Sequence, residues 1–370
     1  MERAARRYGD RRIVDPSRLE VVPVQRVEQL RGPLELVEGL TDLDHLDRLD
    51  EFAVILRDAT DDLLADDADP LGVTQAVASV NDALTTRLLS LGEARLGPPP
   101  YAYSWLALGS HGRGEQVLSS DQDSALAYGG PRRGDADPDT YFGTLAAAVV
   151  DGLARAGIPR CSGDFMATTW RRPLEDYAGY FTRWVDSALP AELLRAEVFL
   201  DVRPVHGDLD VSQLAGILEA GGTRGGFMLQ MARAAVTFRP PMVIGRHVRT
   251  AHGSLDVKRG GTAAIVLLAR LYALAAGSSA RTTQLRLEAA RDAGTLSVSG
   301  VENLLDAYRL LTGLRLRHQV AQAVAGTTPD NLVPPAALTA VDRRRLLAAL
   351  RTVRQMQEIT ERRYQTHTVT

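Results

Sequence analysis

Cysteine, lysine and aromatic residues are all scarce in this chain of 370 residues. Its one cysteine, Cys161, excludes an intramolecular disulfide bond and a cysteine-rich zinc site. Lys258 is the only lysine, so arginine carries nearly all the positive charge, which indicates a coding bias and not a function. The net charge of −3 gives no general attraction to nucleic acid or to an anionic membrane.

Long apolar stretches are missing as well. The most apolar run covers residues 262–276, is shorter than the roughly 20 residues that cross a bilayer, and contains Arg270. The basic N-terminus has no apolar segment of the kind that a secretory signal needs. We therefore expect a cytoplasmic protein without a membrane span, in which residues 262–276 form a buried helix.

The spacing of apolar residues divides the chain into regions of different character. Steps of three and four residues predict two helices on either side of a polar break at residues 66–70. We expect four parts, which are a tail and linker over residues 1–39, an N-terminal helical region over 40–97, a mixed core over 98–210 and a C-terminal helical domain over 211–370.

Short apolar runs bounded by Gly, Ser and Asp predict strands within the core. They cover residues 101–108, 124–128 and 197–205, and a helix is expected over 141–156. Helical spacing then recurs at residues 213–220, 227–238, 262–276, 282–293, 301–325 and 335–363. This order predicts an α+β fold, in which a small mixed sheet is flanked by N-terminal helices and a C-terminal helical bundle.

The stretch SWLALGSHGRGEQVLSSDQDSALAY, residues 104–128, carries the strongest chemical signal. Gly109 and Ser110 follow an apolar strand and open a Gly-rich turn at a helix N-terminus, where N–H groups can bind phosphate. Arg113 adds a positive charge to this turn. Alone, such a turn is weak evidence, because tight turns also have this composition.

Three carboxylates are candidates for a metal site. Asp121 and Asp123 lie two residues apart at the start of a strand, so both point to one face and can share a divalent metal ion. Asp201, an acid within an apolar strand, is the candidate for a third metal ligand and for the general base. A salt bridge from Asp201 to Arg203 is the competing explanation. Together, the Gly-Ser turn and the Asp-x-Asp strand predict a nucleotidyltransferase that uses divalent metal, usually two ions held by carboxylates.

The segment LGSHGRGEQVLSSDQDSALAY resembles the signature of bacterial nucleotidyltransferases related to the N-terminal domain of the protein-PII uridylyltransferase GlnD, in the polymerase-beta-like superfamily. The resemblance extends over roughly residues 70–360, through IPRCSGDFMATTWRRPLEDY, EVFLDVRPVHGD, DVKRGGTAAIVLLARLYAL, LRLRHQ and PDNLVPP. It implies that Gly109 and Ser110 contact the triphosphate and that Asp121 and Asp123 bind Mg²⁺. The strand FLDVRPV is also similar to a strand of glutamine synthetase adenylyltransferase, which supports Asp201 as the third acid.

Residues of the helical domain add weaker candidates. Lys258 precedes a helix and could contact the β- and γ-phosphates, although a solvated loop end explains it equally well. Arg315, Arg317 and His318 lie on a long amphipathic helix, where a structural or interdomain role is the better interpretation.

We therefore expect an enzyme that transfers NMP from ATP or UTP to a hydroxyl group and releases pyrophosphate. Its expected partners are a nucleoside triphosphate and a protein acceptor, a regulatory protein of signal transduction modified on Tyr or Ser, with no nucleic acid. Two alternatives stay open, which are a small-molecule nucleotidyltransferase of the antibiotic-modifying type and a nucleotide-binding signalling pseudoenzyme. The presence of both Asp121 and Asp123 argues against the pseudoenzyme.

Overall fold

The fold is taken from a computed structural model, which describes residues 49–130, 137–241, 243–244, 247–248, 250 and 252–367. The tail and linker expected over residues 1–39, and the first part of the N-terminal helical region, lie outside the described residues.

A four-stranded mixed sheet forms the middle of the molecule. Its strands lie in the order β3-β2-β1-β4, with bounds β1 (Tyr103–Ala107), β2 (Ser124–Tyr128), β3 (Arg171–Pro173) and β4 (Arg203–Gly207). Strand β1 is antiparallel to β2 and β4, whereas β2 is parallel to β3. The first two strands confirm the sequence prediction, and β3 was not predicted because it is only three residues long.

The third predicted strand, over residues 197–205, is wrong in its first half. Phe199–Asp201 form a 3₁₀ turn in which Val202 N–H donates to the Phe199 carbonyl at 3.1 Å, and β4 begins only at Arg203. The three residues of the turn are all buried, so their apolar character matches that of a buried strand such as β1, and only the local hydrogen bond distinguishes the turn. Asp201 consequently precedes a strand and does not lie within one.

Helices surround this sheet. Before β4 they are α1 (Leu49–Ala65), α2 (Pro70–Leu96), α3 (Gly109–Arg113), α4 (Pro138–Arg155), α5 (Leu174–Ser187) and α6 (Pro190–Ala196). After β4 they are α7 (Ser212–Gly221), α8 (Gly225–Ala235), α9 (Ala263–Ala275), α10 (Thr283–Asp292), α11 (Val298–Val324) and α12 (Ala340–Tyr364). Two short ribbons complete the fold, β5 (Val243–Ile244) with β6 (His247–Val248), and β7 (Leu255–Asp256) with β8 (Leu332–Val333).

The C-terminal helices match the sequence prediction to within about three residues at each end, except at the start of the last one. It was expected at residue 335, but Pro335–Ala337 form a short 3₁₀ turn and α12 begins at Ala340. The helix starts there because the side chain of Thr339 caps it, accepting a hydrogen bond from the Asp342 N–H. Thr262 and Ala276 flank α9, whose apolar residues are nearly all buried, as expected for residues 262–276.

The two faces of the sheet pack against different sets of helices. Trp105 and Leu126 pack against α1, α2 and α4 on one face. Leu106, Ala125 and Ala127 pack on the other face, in a core that includes α5 and the C-terminal helices. This alternation along each strand makes the sheet a middle layer, which confirms the α+β architecture. Among the described helices, none has the length and apolar character to cross a membrane.

Candidate nucleotide and metal site

The candidate residues of the core lie at one end of the sheet, where β1 ends and β2 and β4 begin. Ala107 pairs with Ser124 of β2 on one side and with Arg203 of β4 on the other. The Gly-Ser turn after β1, the Asp-x-Asp pair before β2 and Asp201 before β4 therefore lie at the same end.

Two glycines allow the short helix α3 to pack tightly against this end. Gly109 has φ +52°, and a Cβ there would lie 2.8 Å from Oδ2 of Asp123. A Cβ on Gly112 would lie 1.8 Å from the backbone oxygen of Asp201. Side chains at these positions would displace the Asp123 carboxylate or separate α3 from β4, so the Gly-rich sequence is a packing requirement here.

The amide groups of the turn are not equally available. The Gly109 N–H donates to the Val198 carbonyl at 3.0 Å, so its contribution to a phosphate site is the space left by its missing side chain. Within the described part of the chain, we find no acceptor for the N–H groups of Ser110 and His111. These two amides at the start of α3, with the half-buried Ser110 hydroxyl, are the donors that the turn offers to an anion.

Asp121 and Asp123 project from the same side of the chain because the residue between them is anchored in the core. Gln122 is buried, and its amide nitrogen donates to the carbonyls of Val150 and Ile158 at 3.2 and 2.8 Å. The two half-buried carboxylates, together with the Cys161 thiol, each place one ligand atom within 4.8 Å of the others. The same-face geometry predicted from the two-residue spacing is therefore present.

Cys161 is the member of this cluster that the sequence did not reveal. A parallel bridge between Gln122 and Arg160 brings residue 161 beside the Asp-x-Asp pair, from a segment 38 residues further along the chain. Burial raises the pKa of the thiol to about 11, and the thiol is hydrogen-bonded to Asp123. At neutral pH the thiol is consequently protonated and donates to the carboxylate.

Burial and the neighbouring charges together determine the pKa of Asp123. Burial and the neighbouring charge of Asp121 raise the pKa of Asp123 to about 6, while the Cys161 hydrogen bond and the charges of Lys258 and Arg113 act in the opposite direction. A carboxylate held close to a second one in this way is stabilised by a cation, which can come from a metal ion or from the two basic side chains.

Lys258 reaches this site from the C-terminal helical region. It begins a π-helical turn, Lys258–Thr262, that leads directly into α9. Asp256 fixes the turn by accepting hydrogen bonds from the backbone N–H groups of Lys258 and Arg259 at 3.0 and 2.8 Å. The Lys258 side chain itself is exposed and has no carboxylate within ion-pair distance among the described residues. It is therefore free to contact an anionic ligand near Asp123.

The donor set at Asp121 and Asp123 fits a hard divalent cation. Two carboxylates within reach of one point supply the oxygen ligands that Mg²⁺ prefers, and the remaining positions suit water or phosphate oxygens. The Cys161 sulfur is a soft donor and does not match Mg²⁺. Asp121 and Asp123 are therefore the two residues that would hold Mg²⁺ at this site.

Asp201 is not brought into this group. Its side chain is 0% exposed, and it forms ion pairs with Arg113, with Arg270 at 2.6 Å and with Arg286 at 2.8 Å. Burial alone would raise the pKa of Asp201, but the charges of these three arginines hold it well below its ordinary range. The competing expectation of a pair with Arg203 is wrong, because Arg203 bonds to Asp82. The predicted role as third metal ligand gains no support from this placement.

Arg113 and His111 fix α3 on its two sides. Arg113 binds Asp201 and lies 2.7 Å from Glu115, so its guanidinium faces the buried cluster, although its charge still acts on Asp123. His111 Nε2 lies 2.7 Å from Oδ1 of Asp82 in α2. Burial opposes ionisation of Asp82, but the hydrogen bond from His111 and the charge of Arg203 outweigh it and lower the pKa.

The side chains on α11 have structural contacts, as expected. Arg315 donates to Asn331 at 2.9 Å and His318 lies 3.0 Å from Asp330, so both hold the loop that leads to β8. Arg317 is exposed.

Comparison with known families agrees with this geometry. Residues 55–191 match the family described as "Putative nucleotidyltransferase DUF294", and residues 225–364 match "Putative nucleotidyltransferase substrate binding domain". The two matches support membership of a nucleotidyltransferase family, in which a nucleotide is the substrate and nucleotidyl transfer is the general function. No curated protein sequence matches the chain.

Proposed function

We propose that this protein uses Mg²⁺ to transfer NMP from ATP or UTP to a hydroxyl acceptor, with release of pyrophosphate. One observation carries the proposal: the carboxylates of Asp121 and Asp123 share one face beside the open N–H groups of Ser110 and His111. This combination joins metal ligands and phosphate donors in a chain with nucleotidyltransferase-family domains.

Asp121 and Asp123 would hold Mg²⁺, and the bound ion would neutralise phosphate oxygens and polarise the α-phosphorus towards attack. Two ions remain our proposal for the complete site, with the triphosphate supplying the further oxygen ligands. The Ser110 hydroxyl and the first amides of α3 bind phosphate oxygens. Gly109 keeps the space beside Asp123 free, because any side chain there would meet its Oδ2.

Lys258 would neutralise the β- and γ-phosphates from the C-terminal side. Its exposed ammonium already acts on Asp123, so it is near enough to face a triphosphate bound at that carboxylate. Because Lys258 lies on the segment that enters α9, nucleotide binding would link the catalytic core to the substrate-binding domain.

Asp201 is better suited to positioning than to proton transfer. Its carboxylate is fully buried and its pKa is lowered by three arginines, so it is a poor base and is closed to an acceptor hydroxyl. We propose that it holds Arg113, and through Arg113 the helix α3, against the sheet.

The acceptor that we favour is a Tyr or Ser hydroxyl of a regulatory protein, by similarity to protein-PII uridylyltransferase. The test is incubation of the protein and Mg²⁺ with ATP or UTP labelled at the α-phosphate, in a lysate of the source cell. Label that stays on one protein after denaturation is the expected result, whereas label on a small molecule would indicate an antibiotic-type enzyme. Nucleotide binding without transfer to any acceptor would contradict the proposal and indicate a pseudoenzyme.

A further inference from the structure

A cavity lies at the junction between the catalytic core and the C-terminal helices. It measures about 50 Å³ and is lined by residues 200–202 ahead of β4, by side chains of α7, α9 and α10, and by residues 278–281. None of its lining residues belongs to the Asp121, Asp123 and Cys161 cluster. The exposed Ser279 marks the side that opens to solvent.

The cavity wall contains the buried guanidinium of Arg270, in which two of the three nitrogens have no acceptor among the described residues. The Arg270 side chain is only 6% exposed, and its Nη2 donates to Oδ2 of Asp201 at 2.6 Å. Its Nε and Nη1 are buried and have no hydrogen-bond partner among the described residues. Leaving charged donors unsatisfied costs considerable free energy, so this wall is suited to an acceptor from outside the chain.

Two more arginines line the same cavity. Arg286 lies 2.8 Å from Oδ1 of Asp201, and its Nη1 lacks the geometry of a hydrogen bond. Arg281 has no ion pair among the described residues, and burial together with the charges of Arg203 and Arg286 lowers its pKa. Three arginines therefore line the cavity, and the ion pairs among the described residues join two of them, Arg270 and Arg286, to the same carboxylate of Asp201.

The carboxylates that line the cavity do not balance the positive charge of its arginines. Asp201 is shared by three arginines, so its charge is already neutralised and presents little repulsion to an anion. Glu219 also lines the cavity, but no ion pair joins it to Arg270, Arg281 or Arg286.

We propose that this cavity binds a small oxyanion, a phosphate or carboxylate group, between the catalytic core and the substrate-binding domain. A cavity needs a volume of about 10–15 Å³ to hold one water, so this cavity of about 50 Å³ holds a phosphate ion or a short carboxylate. It is too small for a nucleoside triphosphate. Because Arg270 and Arg286 also hold Asp201, the bound anion stabilises the junction that positions α3.

The test is calorimetric titration of the full chain with inorganic phosphate and, separately, with succinate, at ionic strength held constant with chloride. Saturable binding of one ion per chain is expected. Arg281→Gln weakens binding about tenfold, the value of one charge-assisted hydrogen bond, and keeps the fold because Arg281 has no ion-pair partner among the described residues. Arg291→Gln, an equal charge change on the exposed side of α10, is the matched control and leaves the affinity within about twofold.

Two outcomes support the proposal and identify the ligand, since binding of phosphate alone indicates a phosphate group and binding of succinate alone a carboxylate. Absence of saturable binding of either ion up to about 10 mM would overturn it, because that concentration saturates a site with a Kd near 1 mM. The proposal would equally be overturned if Lys258→Gln lowered the affinity for the anion and Arg281→Gln did not. The anion would then occupy the nucleotide site.

Discussion

Replacing Asp201 by Asn tests which of two roles this residue has. The sequence predicts a third metal ligand, whereas the structure places it as the buried partner of three arginines. The substitution keeps the shape of the side chain but removes the one carboxylate shared by Arg113, Arg270 and Arg286. Breaking a buried ion pair by removing one partner costs about 3–5 kcal/mol, because the remaining charge is left buried without compensation. We expect Asp201→Asn to lower the free energy of unfolding by that amount.

Urea unfolding followed by circular dichroism measures this loss. With an m-value of about 3 kcal/mol/M, the midpoint should fall by more than about 1 M. Asp121→Asn is the matched control. Asp121 is half-buried and lies within 4.8 Å of the Asp123 carboxylate, so loss of its charge removes a repulsion and the free energy of unfolding should change by less than about 0.5 kcal/mol. If Asp201→Asn kept wild-type stability and lost Mn²⁺ binding, the buried-anchor role would be refuted and the third-ligand role restored.

Three further predictions concern the glycine turn, the metal site and the only lysine. Gly112→Ala should lower the free energy of unfolding by more than about 2 kcal/mol in urea titrations, because its Cβ would lie 1.8 Å from a backbone oxygen. Gly72→Ala in α2, where a Cβ would meet no atom of the described residues within 4 Å, should be neutral or stabilise by up to about 1 kcal/mol. Equal effects of the two substitutions would contradict the close packing of α3. Mn²⁺ affinity measured by calorimetry should decrease about tenfold per pH unit below pH 6, because protons compete for Asp123, whose pKa is raised to about 6; an affinity independent of pH from 7 to 5 would show that this carboxylate is not a ligand. Pyridoxal phosphate followed by borohydride should modify Lys258, and ATP with Mg²⁺ should protect it, a result that peptide mapping reads clearly because the chain has no other lysine. If ATP with Mg²⁺ did not reduce the labelling of Lys258, this residue would lie outside the nucleotide site.

The features that the sequence predicted correctly are those set by residues close together in the chain. The Gly-Ser turn, the Asp-x-Asp spacing and the strands around them depend on residues close together in the chain. Asp121 and Asp123 precede β2 and do not lie within it, but their two-residue spacing across the anchored Gln122 still brings both carboxylates to one side. The amphipathic spacing likewise predicted the C-terminal helices, because each one buries an apolar face.

Contacts between distant segments explain what the sequence could not predict. Asp201 looked like a strand acid because its neighbours are apolar, but its partners Arg270 and Arg286 come from helices about 70 and 85 residues away. No pattern along the chain links these positions. Cys161 reaches Asp123 only through the bridge that Gln122 forms with Arg160, a pairing between loops that carries no periodic signal.

The central claim is that Asp121 and Asp123 bind the metal that drives nucleotidyl transfer. The direct measurement is Mg²⁺-dependent release of pyrophosphate from ATP and UTP in the presence of lysate acceptor, by wild-type protein, Asp121→Asn and Asp123→Asn. Each substitution should reduce the rate at least about a hundredfold, because a catalytic metal supplies several kcal/mol of charge stabilisation. Asp151→Asn, which removes an exposed carboxylate paired with Arg160, should keep the wild-type rate. Release that persists within about tenfold in both Asp121→Asn and Asp123→Asn would contradict the account.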